Sequence, residues 1–128
     1  MNIITIPMLS PQNFPIPAGY SQLITFIVNP AITSSLFDTN IFWRVYSQWQ
    51  GIPNRDEMIF EKSTLPSPPP DIVPIDSPTL SFTVQVHTAD TVDLLGNYYH
   101  EASIQSAGLE IIGGSWGIMA VTATENRL

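Results

Sequence analysis

The sequence predicts an all-β fold, and three observations carry that prediction. Twelve prolines and seven glycines interrupt the chain so often that no long window keeps an apolar stripe at helical spacing. Thirty-four residues are Ile, Val or Thr, whose branching at Cβ favours strands over helices. Several runs alternate apolar and polar residues with the period of a half-buried strand. We therefore expect a single antiparallel β-sandwich preceded by an extended, proline-rich N-terminal arm.

The arm is predicted over residues 1–19, where four prolines keep an apolar segment out of any central strand. A long apolar arm needs a surface to cover it. Two alternatives remain at this point: the arm wraps its own domain, or it lies on a neighbouring subunit. The residues expected to make the intersubunit contact are Ile3, Ile4, Ile6, Met8, Leu9, Phe14 and Ile16.

Residues 20–128 are predicted to form the sandwich domain. Strands are expected at 22–28 and 40–49, and the alternation within 40–49 makes Trp43 a structural residue of the core. A turn at 51–54 and a short strand near 58–61 follow. Residues 65–78 are predicted to be a stiff loop over the surface, because six prolines fall between Pro66 and Pro78.

The C-terminal half alternates most clearly. A strand is expected over 80–87, then a capped turn, then a strand over 98–105 whose inner face includes His100. The last strand is expected in two pieces, 109–112 and 117–124. Gly113 and Gly114 between them predict a bulge or bend.

The spacing of Leu94, Gly96 and Tyr98, which follow Thr-Ala-Asp-Thr and precede the last two strands, resembles a known family. It is similar to the immunoglobulin-like β-sandwich domains of tailed-phage virion proteins, such as the N-terminal domain of phage baseplate upper proteins. The resemblance covers residues 20–124, and its specific part is 80–121. The arm and the proline-rich loop are longer here than in that family. The resemblance implies a structural virion subunit without enzymatic activity.

The position of Tyr98 by itself also predicts a structural role. A tyrosine that follows the loop between the sheets can donate its hydroxyl to a backbone carbonyl of that loop and so hold the connection in place. Gly96 and Tyr98 are therefore expected to be structural residues rather than ligand contacts.

Charge excludes two classes of partner. Four basic residues against eleven acidic ones leave a net charge of −7, so the chain cannot neutralise a row of phosphates or an anionic membrane. We expect no nucleic-acid and no membrane partner. The absence of cysteine excludes disulfides and thiolate sites.

The chemical motifs are weak. Gly113 to Gly117 match the Gly-x-Ser-x-Gly pattern of a hydrolase elbow, but the residues that follow favour a strand and contain no histidine. A metal site could be assembled only from scattered imidazoles and carboxylates. We expect no catalytic residues, no metal and no cofactor. The residues considered for the metal site are His87, Asp90, Asp93, His100 and Glu101.

Two classes of function remain. The favoured one is a structural protein of a tailed-phage virion, assembled in the host cytoplasm, present in several copies or as a homo-oligomer, and bound to the major capsid protein or to tail proteins. A capsid decoration or cement protein ranks before a tail or baseplate component. Tyr46, Trp49 and Trp116 are the interface candidates. The alternative is a monomeric carbohydrate-binding module that stacks sugars on Tyr46, Trp49 and Tyr99.

Overall fold

The computed structural model describes residues 2–6, by their backbone, and residues 13–28, 36, 39–64, 71–75, 80–106, 108 and 111–123. Regular structure in these ranges consists of nine strands and one helical turn. None of the helical structure in them is long and apolar enough to cross a membrane. The elements are β1 (Asn2–Ile6), β2 (Phe14–Pro17), β3 (Gln22–Val28), β4 (Asn40–Trp49), β5 (Ile52–Ser63), β6 (Ile72–Ile75), β7 (Ser81–Val86), α1 (Thr88–Thr91), β8 (Gly96–Gln105) and β9 (Ile111–Thr122).

The strands form two sheets, which confirms the all-β prediction. The order is β1-β3-β7-β6 in the four-stranded sheet and β2-β9-β8-β4-β5 in the five-stranded sheet. Alternation decides which side of each strand is buried, as the sequence predicted. In β4, for example, Ile41, Trp43 and Val45 are fully buried, while the residues between them are partly exposed.

Both sheets contribute their buried side chains to one hydrophobic cluster. Phe26 of β3 stacks on Phe82 of β7 with ring centroids 4.7 Å apart, and it meets the edge of Trp43 of β4 at 6.2 Å. Trp43 also contacts Phe60 of β5 at 5.5 Å. This aromatic group therefore joins the four-stranded sheet to the five-stranded sheet.

A buried hydrogen-bonded pair joins this cluster to a polar side chain. His100 of β8 is fully buried, and its Nδ1 accepts a hydrogen bond from Nε1 of Trp43 at 3.3 Å. Phe14 of β2 packs edge-on against the imidazole with centroids 4.9 Å apart. A buried indole N–H needs an acceptor, and His100 provides it.

The N-terminal segment corrects the prediction of a purely antiparallel fold. β1 pairs in parallel with β3, and β2 pairs in parallel with β9. Parallel neighbours need a long crossover. The chain provides one because β2, which lies between β1 and β3 in sequence, belongs to the other sheet. The segment 1–19 therefore contributes an edge strand to each sheet of its own chain.

Two predicted loops are also corrected. The turn after β4 is made by Gln50 and Gly51, which both have positive φ (53° and 82°), so β5 begins at Ile52 and runs for twelve residues. Such a turn suits the twist of a two-residue hairpin. Within the predicted loop 65–78, residues 72–75 form β6, whose Pro74 is tolerated because the strand is at a sheet edge.

The connection from β7 to β8 follows the sequence prediction, whereas the last strand is one continuous element and not the two pieces predicted. α1 begins after His87, whose backbone N–H donates to the Asp90 carboxylate at 2.7 Å. The Tyr98 hydroxyl donates to the Leu95 carbonyl at 3.4 Å, the hydrogen bond that its position predicts. The pairing of β8 with β9 shifts register immediately before Gly113, and the strand continues through it.

We expect Gly96→Ala to lower the free energy of unfolding by about 1–3 kcal/mol, because Gly96 has φ +106° and an alanine there is strained even though the space around it is open. Chemical denaturation monitored by tryptophan fluorescence measures the change. Gly108→Ala is the matched control: among the described residues its added Cβ meets only the Ser106 hydroxyl, at 3.8 Å, so it should change stability by less than about 0.5 kcal/mol. Equal losses in both variants would contradict the backbone argument.

We expect His100→Leu to cost about 1–3 kcal/mol of unfolding free energy, because it leaves the buried Nε1 of Trp43 without this acceptor. Trp43→Phe removes the donor, and the double variant completes a thermodynamic cycle. A coupling energy near zero would show that the hydrogen bond contributes nothing beyond packing.

Candidate functional site

The outward side of the five-stranded sheet carries a row of apolar and aromatic side chains. Tyr46 of β4 is paired with Met58 of β5 on one side and with Tyr99 of β8 on the other. Tyr99 is in turn paired with Ile118 of β9. Paired residues of neighbouring strands share a face, so these four residues form a continuous row across four strands, called the apolar row below.

A second row, the ionic row, lies next along the same strands. Arg44 of β4 is paired with Glu61 of β5 and with Glu101 of β8. Glu101 is paired with Trp116 of β9. Arg44 forms an ion pair with Glu61, and its guanidinium carbon lies 4.6 Å from the ring centroid of Phe42.

Arg55 joins the two rows, and together with them it makes up what we call the outer face. Its guanidinium pairs with Glu101 of the ionic row. The same group lies 5.0 Å from the ring centroid of Tyr46 and 5.6 Å from that of Tyr99. The hydrogen bond to Glu101 raises the pKa of Arg55 above its ordinary value, and burial raises the pKa of the Tyr99 hydroxyl. Arg55 therefore stays cationic and Tyr99 stays neutral.

The charges of the outer face balance. Arg44 and Arg55 are two of the three arginines of the chain, and each is paired with a glutamate on the face. The face therefore has no net charge from these groups, although the chain as a whole carries −7. Asp56 and Glu57 follow Arg55 in the same exposed stretch of β5, which has no partner in the β4 ladder, and their two negative charges are not part of this balance.

A shallow apolar depression continues the apolar row toward β2. It has a volume of about 480 Å³ and lies among Asn13, Phe14, Pro15, Ile118 and Ala120. The Asn13 side chain accepts a hydrogen bond from the Ile118 backbone at 2.8 Å, which holds the start of β2 against β9. The apolar surface of the outer face thus reaches from β5 to β2.

The structure separates the three interface candidates. Trp116 lies on the outer face and is 45 % exposed. Tyr46 is on the same face but only 7 % exposed, beneath Arg55. Trp49 is 76 % exposed and lies at the tip of the β4–β5 hairpin opposite Ile52, away from the face. The row of exposed aromatics that carbohydrate stacking on Tyr46, Trp49 and Tyr99 would require is therefore not formed by these residues.

Arg55, Met58 and Ile118 are members of the outer face that sequence reasoning did not select. Ile118 could have been found from the alternation of β9, which places it beside Trp116 two residues away. Arg55 and Met58 could not, because they depend on the irregular register between β4 and β5.

The predicted arm residues are distributed differently from the expectation. Phe14 and Ile16 are buried in the core of their own chain, so these two are not available to a neighbouring subunit. Ile3, Ile4 and Ile6 lie in β1, whose backbone pairs with β3. Met8 and Leu9 lie outside the described residues, and their intersubunit contact stays a prediction.

The hydrolase motif does not have the geometry of a nucleophile elbow. Ser115 lies inside the continuous strand β9, paired with Ala102, and is 3 % exposed. An elbow requires the serine at a sharp turn between a strand and a helix. The Gly-x-Ser-x-Gly pattern is here part of a strand.

The residues considered for a metal site are not brought together. His100 pairs with Trp43 in the core, and Glu101 pairs with Arg55 on the outer face. In the described parts of the chain, no three histidine, aspartate or glutamate side chains are placed to hold a metal ion. His87 and Asp90 instead belong to an ion-pair cluster around a lysine.

That cluster is centred on Lys62 of β5, which is only 7 % exposed. Its Nζ lies 2.9 Å from the Asp71 carboxylate and 2.7 Å from the Asp90 carboxylate. Asp71 also pairs with Nε2 of His87 at 2.8 Å. Two carboxylates neutralise the buried ammonium, as burial of a charge requires. The cluster ties the end of β5 to the start of β6 and to α1.

The cluster predicts a loss of stability in acid. Burial raises the pKa of Asp71, but the hydrogen bonds and positive charges of His87 and Lys62 together lower it by more than burial raises it. The pKa of Asp71 therefore lies below the ordinary 3.8. A carboxyl group whose pKa is lower in the folded than in the unfolded state stabilises the fold at pH values above its unfolded-state pKa. That stabilisation is lost as the pH falls through the folded-state pKa. We expect the difference in melting temperature between the wild type and Asp71→Asn to shrink between about pH 5 and about pH 2.

Circular dichroism at a series of pH values makes this measurement, with Asp93→Asn as a control for the removal of an exposed carboxylate. A difference between wild type and Asp71→Asn that stays constant through this range would contradict the assigned role of Asp71.

Neither a model of a known protein family nor a characterised protein matches this chain.

Proposed function

We propose that the chain is a non-enzymatic structural protein of a tailed-phage virion, an immunoglobulin-like β-sandwich that binds neighbouring virion subunits through its outer face. The observation that carries the proposal is the composition of that face. Tryptophan, tyrosine and arginine dominate the binding energy of protein interfaces, and the outer face combines Trp116, Tyr99 and Arg55 on one rigid sheet.

The strand order supports the immunoglobulin-like assignment. In an immunoglobulin sandwich, one sheet has the order A-B-E-D and the other contains G, F and C, with further strands beside C in the variable type. When β1, β3 and β4 are taken as A, B and C, and β5 as the strand added beside C, β6 to β9 become D, E, F and G. Both observed orders of neighbouring strands then match, although β1 runs parallel to β3, whereas the sheets of an immunoglobulin sandwich are antiparallel. β2 is an additional strand of the other sheet, parallel to G.

Three core features support the same assignment. A buried tryptophan on strand C is a hallmark of the fold, and Trp43 occupies that place in β4. Tyr98, near the start of β8, makes the backbone hydrogen bond of a tyrosine corner. In antibody domains the second core cysteine follows that tyrosine by two residues, and His100 stands there in this cysteine-free chain.

The balance of charge on the outer face favours contact with protein. Covering an unpaired charge is costly, whereas a charge that already has its partner can be covered at lower cost. Arg44 and Arg55 each have a glutamate partner before any binding occurs. A neighbouring subunit can therefore be accommodated by shape and apolar contact.

The remaining assignments follow from the proposed function. The chain works in the virion after assembly in the host cytoplasm, in several copies, bound to the major capsid protein or to tail proteins. A capsid decoration or cement protein ranks before a tail or baseplate component. Ile3, Ile4 and Ile6 remain proposed intersubunit contacts of the N-terminal segment.

We expect Trp116→Ala to reduce the number of copies bound per particle by about tenfold or more at limiting protein concentration, the loss typical of an interface tryptophan. Purified chain is added to particles of the encoding phage that lack it, and bound copies are counted by quantitative mass spectrometry after gradient sedimentation. Trp49→Ala is the matched control, because it removes an exposed tryptophan away from the face. Absence of the wild-type chain from particles would overturn the proposal.

A further inference from the structure

We propose that the subunit covering the outer face is a second copy of this chain, related to the first by a two-fold axis. The inference rests on the proposed function, because it names the neighbour at the same face. In a two-fold interface the same patch is buried on both copies, so the patch must be compatible with itself in charge, area and chemistry. The outer face meets each requirement.

The first requirement is charge. Two copies that each carry −7 repel one another wherever acidic surfaces meet. Lys62 is buried between two aspartates and gives the surface no free positive charge. The outer face holds two of the chain's cations, Arg44 and Arg55, and pairs each with a glutamate. These four paired groups therefore add no net charge to either face when two copies approach.

The second requirement is area. Standard protein interfaces bury about 600–1,000 Å² on each partner. Four strands of ten to twelve residues and one of four present roughly 600–750 Å² in projection, from the usual strand spacing and rise. The whole chain exposes 7159 Å². One outer face is therefore large enough for a stable dimer, without any contribution from loops.

The third requirement is the chemistry of contact. Trp116 and Met58 are exposed at 45 % and 49 %, while Ile118 and Tyr99 are half-buried between them. These apolar groups gain from being covered. Arg55 is held in place by Glu101 and by two tyrosine rings, so little side-chain freedom is lost when a second copy packs on it.

The test is the mass of the full-length chain in solution, measured by sedimentation equilibrium over a range of concentrations. We expect a monomer–dimer equilibrium for the wild type. Trp116→Ala should raise the dimer dissociation constant by about 30-fold or more. Trp49→Ala, away from the face, should leave it within about twofold. Melting temperatures of both variants verify that each is folded.

Changing the charge of the outer face gives a second, independent test of the dimer. Arg55→Glu makes the face acidic and should weaken the dimer, whereas the double exchange Arg55→Glu with Glu101→Arg restores the balance and should recover it. Raising the salt from about 0.05 M to about 0.5 M screens the repulsion between two acidic copies, so the dissociation constant should fall. A dissociation constant that rises with salt would overturn the charge argument.

The outcomes separate this inference from the proposed function. A wild-type chain that stays monomeric overturns the dimer, and if Trp116→Ala still loses its place on particles, the proposed function stands with a different neighbour at the face. A dimer that is insensitive to Trp116→Ala and to Arg55→Glu also overturns the inference, because it must use another surface.

Discussion

The hydrogen bond between Trp43 and His100 is the constraint on which the rest of the core depends. A tryptophan fully buried between two sheets brings a polar N–H into an apolar interior, and only a correctly placed acceptor makes that tolerable. His100 supplies the acceptor from the neighbouring strand, and Phe14 packs on it from β2. The pair fits the observed register of β4 against β8, and the N-terminal segment packs on it through Phe14.

The residues of the outer face alternate with this core pair along β4 and β8. When Trp43, Val45 and His100 turn inward, Arg44, Tyr46 and Tyr99 must turn outward, because side chains alternate along a strand. The core and the interaction surface are thus specified together. A one-residue slip between β4 and β8 would expose the core pair and bury the ion pairs of the outer face. Binding residues held this way stand on rigid strands rather than on loops.

Much of the fold could be predicted because period-two alternation is a local property. The bounds of β3 and β4, and the inner face of β8, follow directly from it. The register between strands is not local. Arg55 and Met58 join the outer face only because β5 starts earlier than its sequence indicates and has irregular pairing with β4. Phe14 and Ile16 are buried only because β9, over a hundred residues away, offers a parallel edge.

The sequence by itself determined the strand-rich character of the chain, the inward position of Trp43, the structural role of Tyr98 and the small number of cations. These depend on residue type, on spacing along one strand or on simple counting. The tertiary structure alone decided that Lys62 is buried between Asp71 and Asp90, and that Arg44 and Arg55 are neutralised on one face. The reason is physical: an ion pair depends on which strands become neighbours, and burial of a whole core decides that.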